Sequence, residues 1–235
     1  MTGHLRTTKT DELEREMAIN CYGYGRWEAP YWFIGPEQGK GPKEPADNVM
    51  RIDAWAKLGK TNLCDCRCFH EEIDDFSRHR EMKLQPTWRR LMLLLMVFLG
   101  KDADIENLRT YQRDHWGMLN GETCVIELSG VASKNLKTSI DHKQFRQDRI
   151  EFIRDKRKHH RPALVIMYGI SAKKDWEQIA GHELTEGEIV LCESTIFGFT
   201  RHPVAHGTRD QYWKDFGVRL REYRRPLPLA TPRLP

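Results

Sequence analysis

The chain has 235 residues, 39% of them hydrophobic and 31% charged, with 38 Lys/Arg against 34 Asp/Glu. That apolar content is enough for a packed core and excludes wholesale disorder. The length, at roughly 150 residues per domain, predicts one or two domains. The longest apolar run, Leu91 to Leu99, covers nine residues, well short of the about 20 needed for a membrane-spanning helix. The polar start MTGHLRTTKTDELERE has no apolar stretch of the secretory kind. A soluble, cytoplasmic or otherwise intracellular protein with no membrane partner is expected.

In chain order, Asp11 to Asn20 is polar and helix-prone. Tyr31-Trp32-Phe33-Ile34, bounded by Pro30 and Gly35, reads as a strand buried on both faces. Ala46 to Leu58 carries Val49, Ile52, Trp55 and Ala56 at helical spacing with Gly59 as a stop. Thr87 to Leu99 is a second helix, apolar nearly all round at its end and stopped by Gly100, which implies burial between layers. Cys124 to Leu128 is the next strand, and Asp141 to His159 a long basic helix. Ala163 to Tyr168 is an apolar strand closed by Gly169, after which Ser171 reads as the N-cap of a helix to Ala180. Glu188–Cys192 and Thr195–Thr200 read as two more strands, and Arg209 to Tyr223 as a final amphipathic helix. The last residues, RRPLPLATPRLP, hold four prolines in twelve and predict a flexible Pro/Arg-rich tail over 224–235.

Strands separated by helices of this length imply crossover connections. The expectation is α/β: a single-domain three-layer α/β/α sandwich around a mostly parallel sheet of four to five strands. The domain would span 1–223, its core about 30–223 with the N-terminal helix before it. Ligands of such sheets bind outside the carboxyl ends of the strands, which singles out the loops after Ile34, Leu128 and Thr200.

Charge is unevenly spread. Residues 134–161 hold ten Lys/Arg against four Asp/Glu, and 201–235 hold eight against three, so the rest of the chain is net negative. One basic face would suit a polyanion, although Arg/Lys-rich helices are also simply solvated faces. The six cysteines (Cys21, Cys64, Cys66, Cys68, Cys124, Cys192) are no disulfide scaffold in a chain this long. Cys64, Cys66, Cys68 and His70 invite a metal reading. Their Cys-x-Cys-x-Cys pattern is not the Cys-x2-Cys of common zinc and cluster sites, and no second ligand pair follows, so no metal is expected.

The first loop, Gly35-Pro36-Glu37-Gln38-Gly39-Lys40-Gly41-Pro42, packs three glycines and two prolines into a stiff turn holding one carboxylate. It lacks the Gly-x4-Gly-Lys-Ser/Thr pattern of a phosphate loop. At the end of the last strand stand Arg201-His202-Pro203 and then Val204-Ala205-His206-Gly207-Thr208-Arg209, a histidine stiffened by the following proline.

A Gly-x-acid motif ending the first strand and a His-Pro motif ending the last resemble the uracil-DNA glycosylase superfamily. Pro162 to Ala172, a strand ending in Gly before a small-residue helix start, is similar to a segment of that family. The helix bearing Trp213, Phe216 and Leu220 is similar to its closing helix. The resemblance runs from about residue 30 to 223. It implies hydrolysis of the N-glycosidic bond of a base flipped out of DNA. Glu37 would orient a water toward C1′ and stabilise the cationic sugar, and His202 would donate a hydrogen bond to the leaving base. No metal or diffusible cofactor is required. Gly35, Pro36, Gln38 and Gly39 would frame the base, and Lys40, Lys134, Arg201, His206 and Arg209 would meet DNA. His206 or Arg209 would stand in for the family's wedge, which has no bulky apolar counterpart here.

Two features depart from the family. The asparagine that reads the pyrimidine edge is missing after Ile126; Glu127 or Ser129 could face the pocket there, or Asn135 could reach back. An ionised carboxylate accepts but does not donate, so Glu127 could not replace an amide's dual role. The stacking aromatic is missing too, with Trp55 as the nearest candidate, on a helix whose apolar face it also completes. The expected function is excision of uracil or a related damaged base from DNA by a monomer. The alternatives are a non-catalytic abasic-site or single-stranded-DNA binding module on the same fold and, third, a nucleoside hydrolase, which would not need the basic helix.

Overall fold

The computed structural model describes residues 9–36, 45–73, 83–131 and 142–224. The amino-terminal part holds α1 (Lys9–Asn20), β1 (Gly23–Tyr24), β2 (Tyr31–Gly35), α2 (Pro45–Lys57), β3 (Leu63–Cys64) and α3 (Cys66–Glu72). The middle holds α4 (Pro86–Leu99), α5 (Ile105–Asp114), β4 (Thr123–Glu127) and α6 (His142–His160). Then come β5 (Leu164–Tyr168), α7 (Lys173–Ala180), β6 (Ile189–Cys192), β7 (Thr195–Thr200) and α8 (Asp210–Glu222).

The seven strands form one sheet in the order β3-β1-β4-β2-β5-β7-β6. This corrects the expected four to five strands. Two-residue β1 and β3 extend one edge, being too short to leave any alternating pattern in the sequence. The sheet is also mixed. β6 and β7 are joined by only Glu193 and Ser194 and so pair antiparallel, as β1 and β4 do. The central strands β4, β2, β5 and β7 run parallel to one another, and crossover helices connect them.

Each face of the sheet buries its own core. On one, Phe33, Val125, Leu164, Ile166 and Ile196 meet Leu91, Leu94 and Leu95 of α4 and Trp213, Phe216 and Leu220 of α8. On the other, Trp32, Ile34, Cys124, Ile126, Val165 and Phe197 meet Ile150 and Ile153 of α6 and Trp176 and Ile179 of α7. That two-sided burial explains why these strands read as continuous apolar runs rather than alternating ones. α4 and α8 approach closely because Gly217 has no side chain; a Cβ there would lie 2.7 Å from the Leu94 carbonyl oxygen.

Helix starts follow local chemistry. Gln85 caps α4 ahead of Pro86, and Asp65 and Asp104 cap α3 and α5 with side-chain bonds to exposed backbone N–H groups. Ser171 does not cap a helix. Ile170–Ala172 form a 3-10 turn, and α7 starts after Ala172 without a side-chain cap bond. Among the described residues no helix is long and apolar enough to cross a membrane. The tail expected over 224–235 lies, beyond Arg224, outside the described residues.

Candidate functional site at the carboxyl edge of the sheet

Strand register assembles a polar row. Gly35 of β2 stands opposite Glu127 of β4, Ile34 opposite Met167 of β5, and Tyr168 opposite Thr200 of β7. Glu127, Gly35, Tyr168 and Thr200 therefore end four neighbouring strands side by side. The two-residue period places them on the face of Phe33, Val125, Ile166 and Ile196. Where that face would continue apolar, it ends in a carboxylate, a missing side chain, a phenol and a hydroxyl.

The missing side chain is required. A Cβ on Gly35 would lie 2.2 Å from the Tyr168 hydroxyl oxygen and 2.4 Å from the ring carbon bearing it. Tyr168 therefore reaches sideways over the end of β2. Burial raises its pKa well above the usual phenol value, and the nearby charge of Glu127 raises it further. The phenol stays protonated and can donate. Glu127 is itself buried, with 6% of its surface exposed. At the far end of the row the Thr200 and Tyr212 hydroxyls lie 2.5 Å apart.

Arg149 of α6 fixes the end of β4. Its guanidinium, 2% exposed, donates to the carbonyls of Glu127 (2.8 Å) and Leu128 (2.7 Å). It also donates to those of Ala18, Ile19 and Cys21 at the end of α1, and it stands 4.0 Å from the Tyr22 ring centre. Beyond the strands, the Leu128 amide donates to the Gly35 carbonyl and the Ser129 amide to that of Pro36. The Ser129 hydroxyl donates to the Val131 carbonyl at 2.6 Å.

His202 follows β7 by two residues. Its ring meets that of Tyr168 edge-on, with centres 5.4 Å apart. The Val204 amide donates to its Nδ1 at 3.3 Å. An Nδ1 that accepts selects the neutral tautomer with the proton on Nε2, which is a hydrogen-bond donor. The loop beyond is pinned from α4: Arg90 donates to the Pro203 carbonyl and, at 3.0 Å, to the Thr208 hydroxyl. Arg89 holds Asp210 by a two-pronged ion pair, which keeps the Asp210 carboxyl below the usual carboxylate range.

Of the residues singled out by sequence, Gly35, Pro36 and His202 converge on this edge, with Pro36 against Gly169. Glu37, Gln38, Gly39, Lys40, Lys134 and Asn135 lie outside the described residues. Trp55 is fully buried in the core, its indole N–H donating to the Thr61 carbonyl at 2.9 Å. This corrects its candidacy as a stacking residue, because a ring with no exposed face cannot stack on a ligand. Arg201 is ion-paired with Glu186 at 2.5 Å, whereas His206 and Arg209 are exposed. Cys64 and Cys66 are buried, Cys68 is exposed, and His70 Nδ1 lies 2.7 Å from the Cys66 carbonyl oxygen. Among the described residues no group of three or more His, Cys, Asp or Glu could hold a metal ion.

Tyr168, Thr200 and Tyr212 escaped the sequence reading as site residues. Tyr168 and Thr200 carry a signal of parity, since counting back by twos from each reaches the apolar face of its strand; Tyr212 lies on α8 and carries none. No protein-family model matches the chain, and no curated protein matches it.

Proposed function

We propose that the chain is a DNA glycosylase that hydrolyses the N-glycosidic bond of a flipped-out uracil or related damaged base. The observation that carries the reading is His202, held as an Nε2–H donor by the Val204 amide. It stands at the carboxyl edge of the same parallel strands whose first loop begins Gly35-Pro36-Glu37. As the bond between C1′ and the base nitrogen breaks, its electrons go to the base. A donor at the base carbonyl lowers the cost of that negative charge, and a preorganised one needs no reorganisation at that moment. Glu37, two residues beyond the end of β2 in sequence, orients the water that adds to C1′, and its charge offsets that of the cationic sugar. The exposed Arg209 and His206, with Lys40 and Lys134, meet phosphates and set position rather than sequence. The protein acts as a monomer on DNA and without a cofactor.

Single-turnover incubation with a uracil-bearing oligonucleotide, followed by alkali, tests this reading. Scission is expected with the wild type. His202→Ala and Glu37→Gln should each be slower by about 100-fold or more, with unfolding midpoints near that of the wild type. Equal rates in all three would overturn the site. A second reading, an abasic-site or single-stranded-DNA binder without turnover, draws on the Tyr168 hydroxyl, which occupies the space over Gly35. A salt-sensitive gel shift with no base release would favour it.

A further inference from the structure

The edge of the sheet opposite the polar row carries a cleft of its own. The last turn of α4, one face of α5 and the turn leading into β4 wall a space of about 460 Å³, within the range of small-molecule sites. We infer that this cleft binds a neutral ligand bearing a vicinal diol, a sugar or the ribose of a nucleoside, with Glu122 as its principal anchor. The cleft is separate from the proposed active site: Glu122 precedes β4 and His202 follows β7, in strands that point the same way.

The apolar part of the lining is Met96 and Tyr111, both buried. Glu122 is accessible, with 35% of its side chain exposed. Its carbonyl accepts from the Tyr31 amide at 3.2 Å. Gly121 before it closes against the end of α5, where a Cβ would lie 2.8 Å from the His115 carbonyl oxygen. Two neighbours hold the Glu122 carboxylate through Oε1: the Tyr111 hydroxyl donates at 2.8 Å, and the Lys101 ammonium stands 3.5 Å away. Burial and then the charge of Glu122 raise the Tyr111 pKa, so the phenol keeps its proton and remains a donor. Oε2 takes part in neither contact and keeps its lone pairs for a ligand.

This donor and acceptor set favours a neutral polyol. A carboxylate beside an ammonium opposes either sign of bare ion: an anion would face Glu122, and a cation would face Lys101. The rest of the polar lining includes the Thr110 hydroxyl and the Asn107 and Asn120 amides. Each of these both donates and accepts, as hydroxyl partners require. Asn107 and Thr110 share the α5 face of Tyr111, being three and four residues apart along the helix. Two adjacent hydroxyls can donate together to the Glu122 carboxylate, a charge-assisted contact stronger than a neutral one. Their oxygens then accept from the amides or from Lys101, and the C–H face of the sugar ring packs on Tyr111 and Met96.

The test is an amide-resolved NMR titration of the full chain with adenosine, methyl ribofuranoside and methyl glucopyranoside. The 2-deoxy forms of the first two, which lack the vicinal diol, serve as matched controls. At least one diol-bearing ligand should saturate below roughly 10 mM, moving the Thr110 and Gly121 amides and not those of Thr200 and Val204. Its deoxy partner should bind at least about 10-fold more weakly, and Glu122→Gln should weaken the diol ligand by a similar factor. Lys101→Met should change that affinity by no more than a few-fold. Saturation by adenosine alone makes the ligand a nucleoside, and saturation by a glycoside alone makes it a free sugar; both support the inference. Equal binding of diol and deoxy partners would overturn it, as would shifts centred on Thr200 and Val204 or no saturation with any ligand. Binding lost in Lys101→Met and kept in Glu122→Gln would mark an anion site and overturn it too. Should Glu122→Gln fail to fold, the wild-type preference within the matched pairs and Thr110→Val, expected to weaken the diol ligand, decide instead.

Discussion

Two segments carry the chain's excess of positive charge, and the fold uses them differently. In α6, the arginines at positions 149 and 157 fall on the same stripe as Ile150 and Ile153, so they point inward. Arg149 satisfies five backbone carbonyls, and Arg157 reaches the Ala180 carbonyl and lies over Phe197. Arg146 is tied to Asp175, and Lys156 covers Trp27 and Phe152. As the crossover from β4 to β5, α6 also runs away from the polar row, so its last basic turn lies at the opposite end of the sheet. The loop from Arg201 to Arg209 stands beside the row and leaves His206 and Arg209 exposed. Similar surpluses of charge thus mean internal scaffolding in one segment and an outward surface in the other. Burial and direction decide between them, and a charge count contains neither.

The sharpest way to break this contrast is Arg149→Met. It strands several buried carbonyls, each costing on the order of 1 kcal/mol or more, so a loss of at least about 3 kcal/mol is expected in urea unfolding. A loss below about 1 kcal/mol would put Arg149 among ordinary surface residues. Arg90→Met removes the guanidinium's bonds to the Pro203 carbonyl and the Thr208 hydroxyl, which keep their bond to each other; it should cost about 1 kcal/mol and slow base release along with it. The Arg89–Asp210 pair should appear in the pH dependence of stability. Its carboxyl has a lowered pKa in the folded state, so its contribution is present above the usual carboxylate range and is lost as pH falls through the lowered value. Asp210→Asn should flatten that part of the acid-side decline in thermal melts. Arg209→Ala should change stability by no more than about 0.5 kcal/mol. It should still reduce the salt dependence of DNA binding, with the slope of log affinity against log salt falling by about one.

The central architecture was readable because strands buried on both faces leave compact apolar runs, such as Tyr31 to Ile34 and Leu164 to Tyr168, bounded by proline or glycine. β1 and β3 were not, since two residues carry no period. α3 and α5 are polar and short and were not legible either; their capping aspartates, Asp65 and Asp104, are seen as caps only in the fold. At the site, His202 was legible from its place after a strand and before a proline. The partnership of Tyr168 with Gly35 was not, because it depends on which residues stand opposite each other across β2 and β5. Arg149 was the most deceptive: in sequence it is one more cation in a basic helix, and only its bonds to the carbonyls at the ends of α1 and β4 show it to be internal.

That guanidinium also has a bearing on synthesis. Helix α1 leaves the ribosome before α6, yet the donor for its Ala18 carbonyl lies 131 residues further along the chain. Until α6 has emerged and docked, the end of α1 has no such partner, and neither do the carbonyls at the end of β4. Helix α1, made before α6, therefore gains this partner only after α6 follows, together with the strand end that carries Glu127.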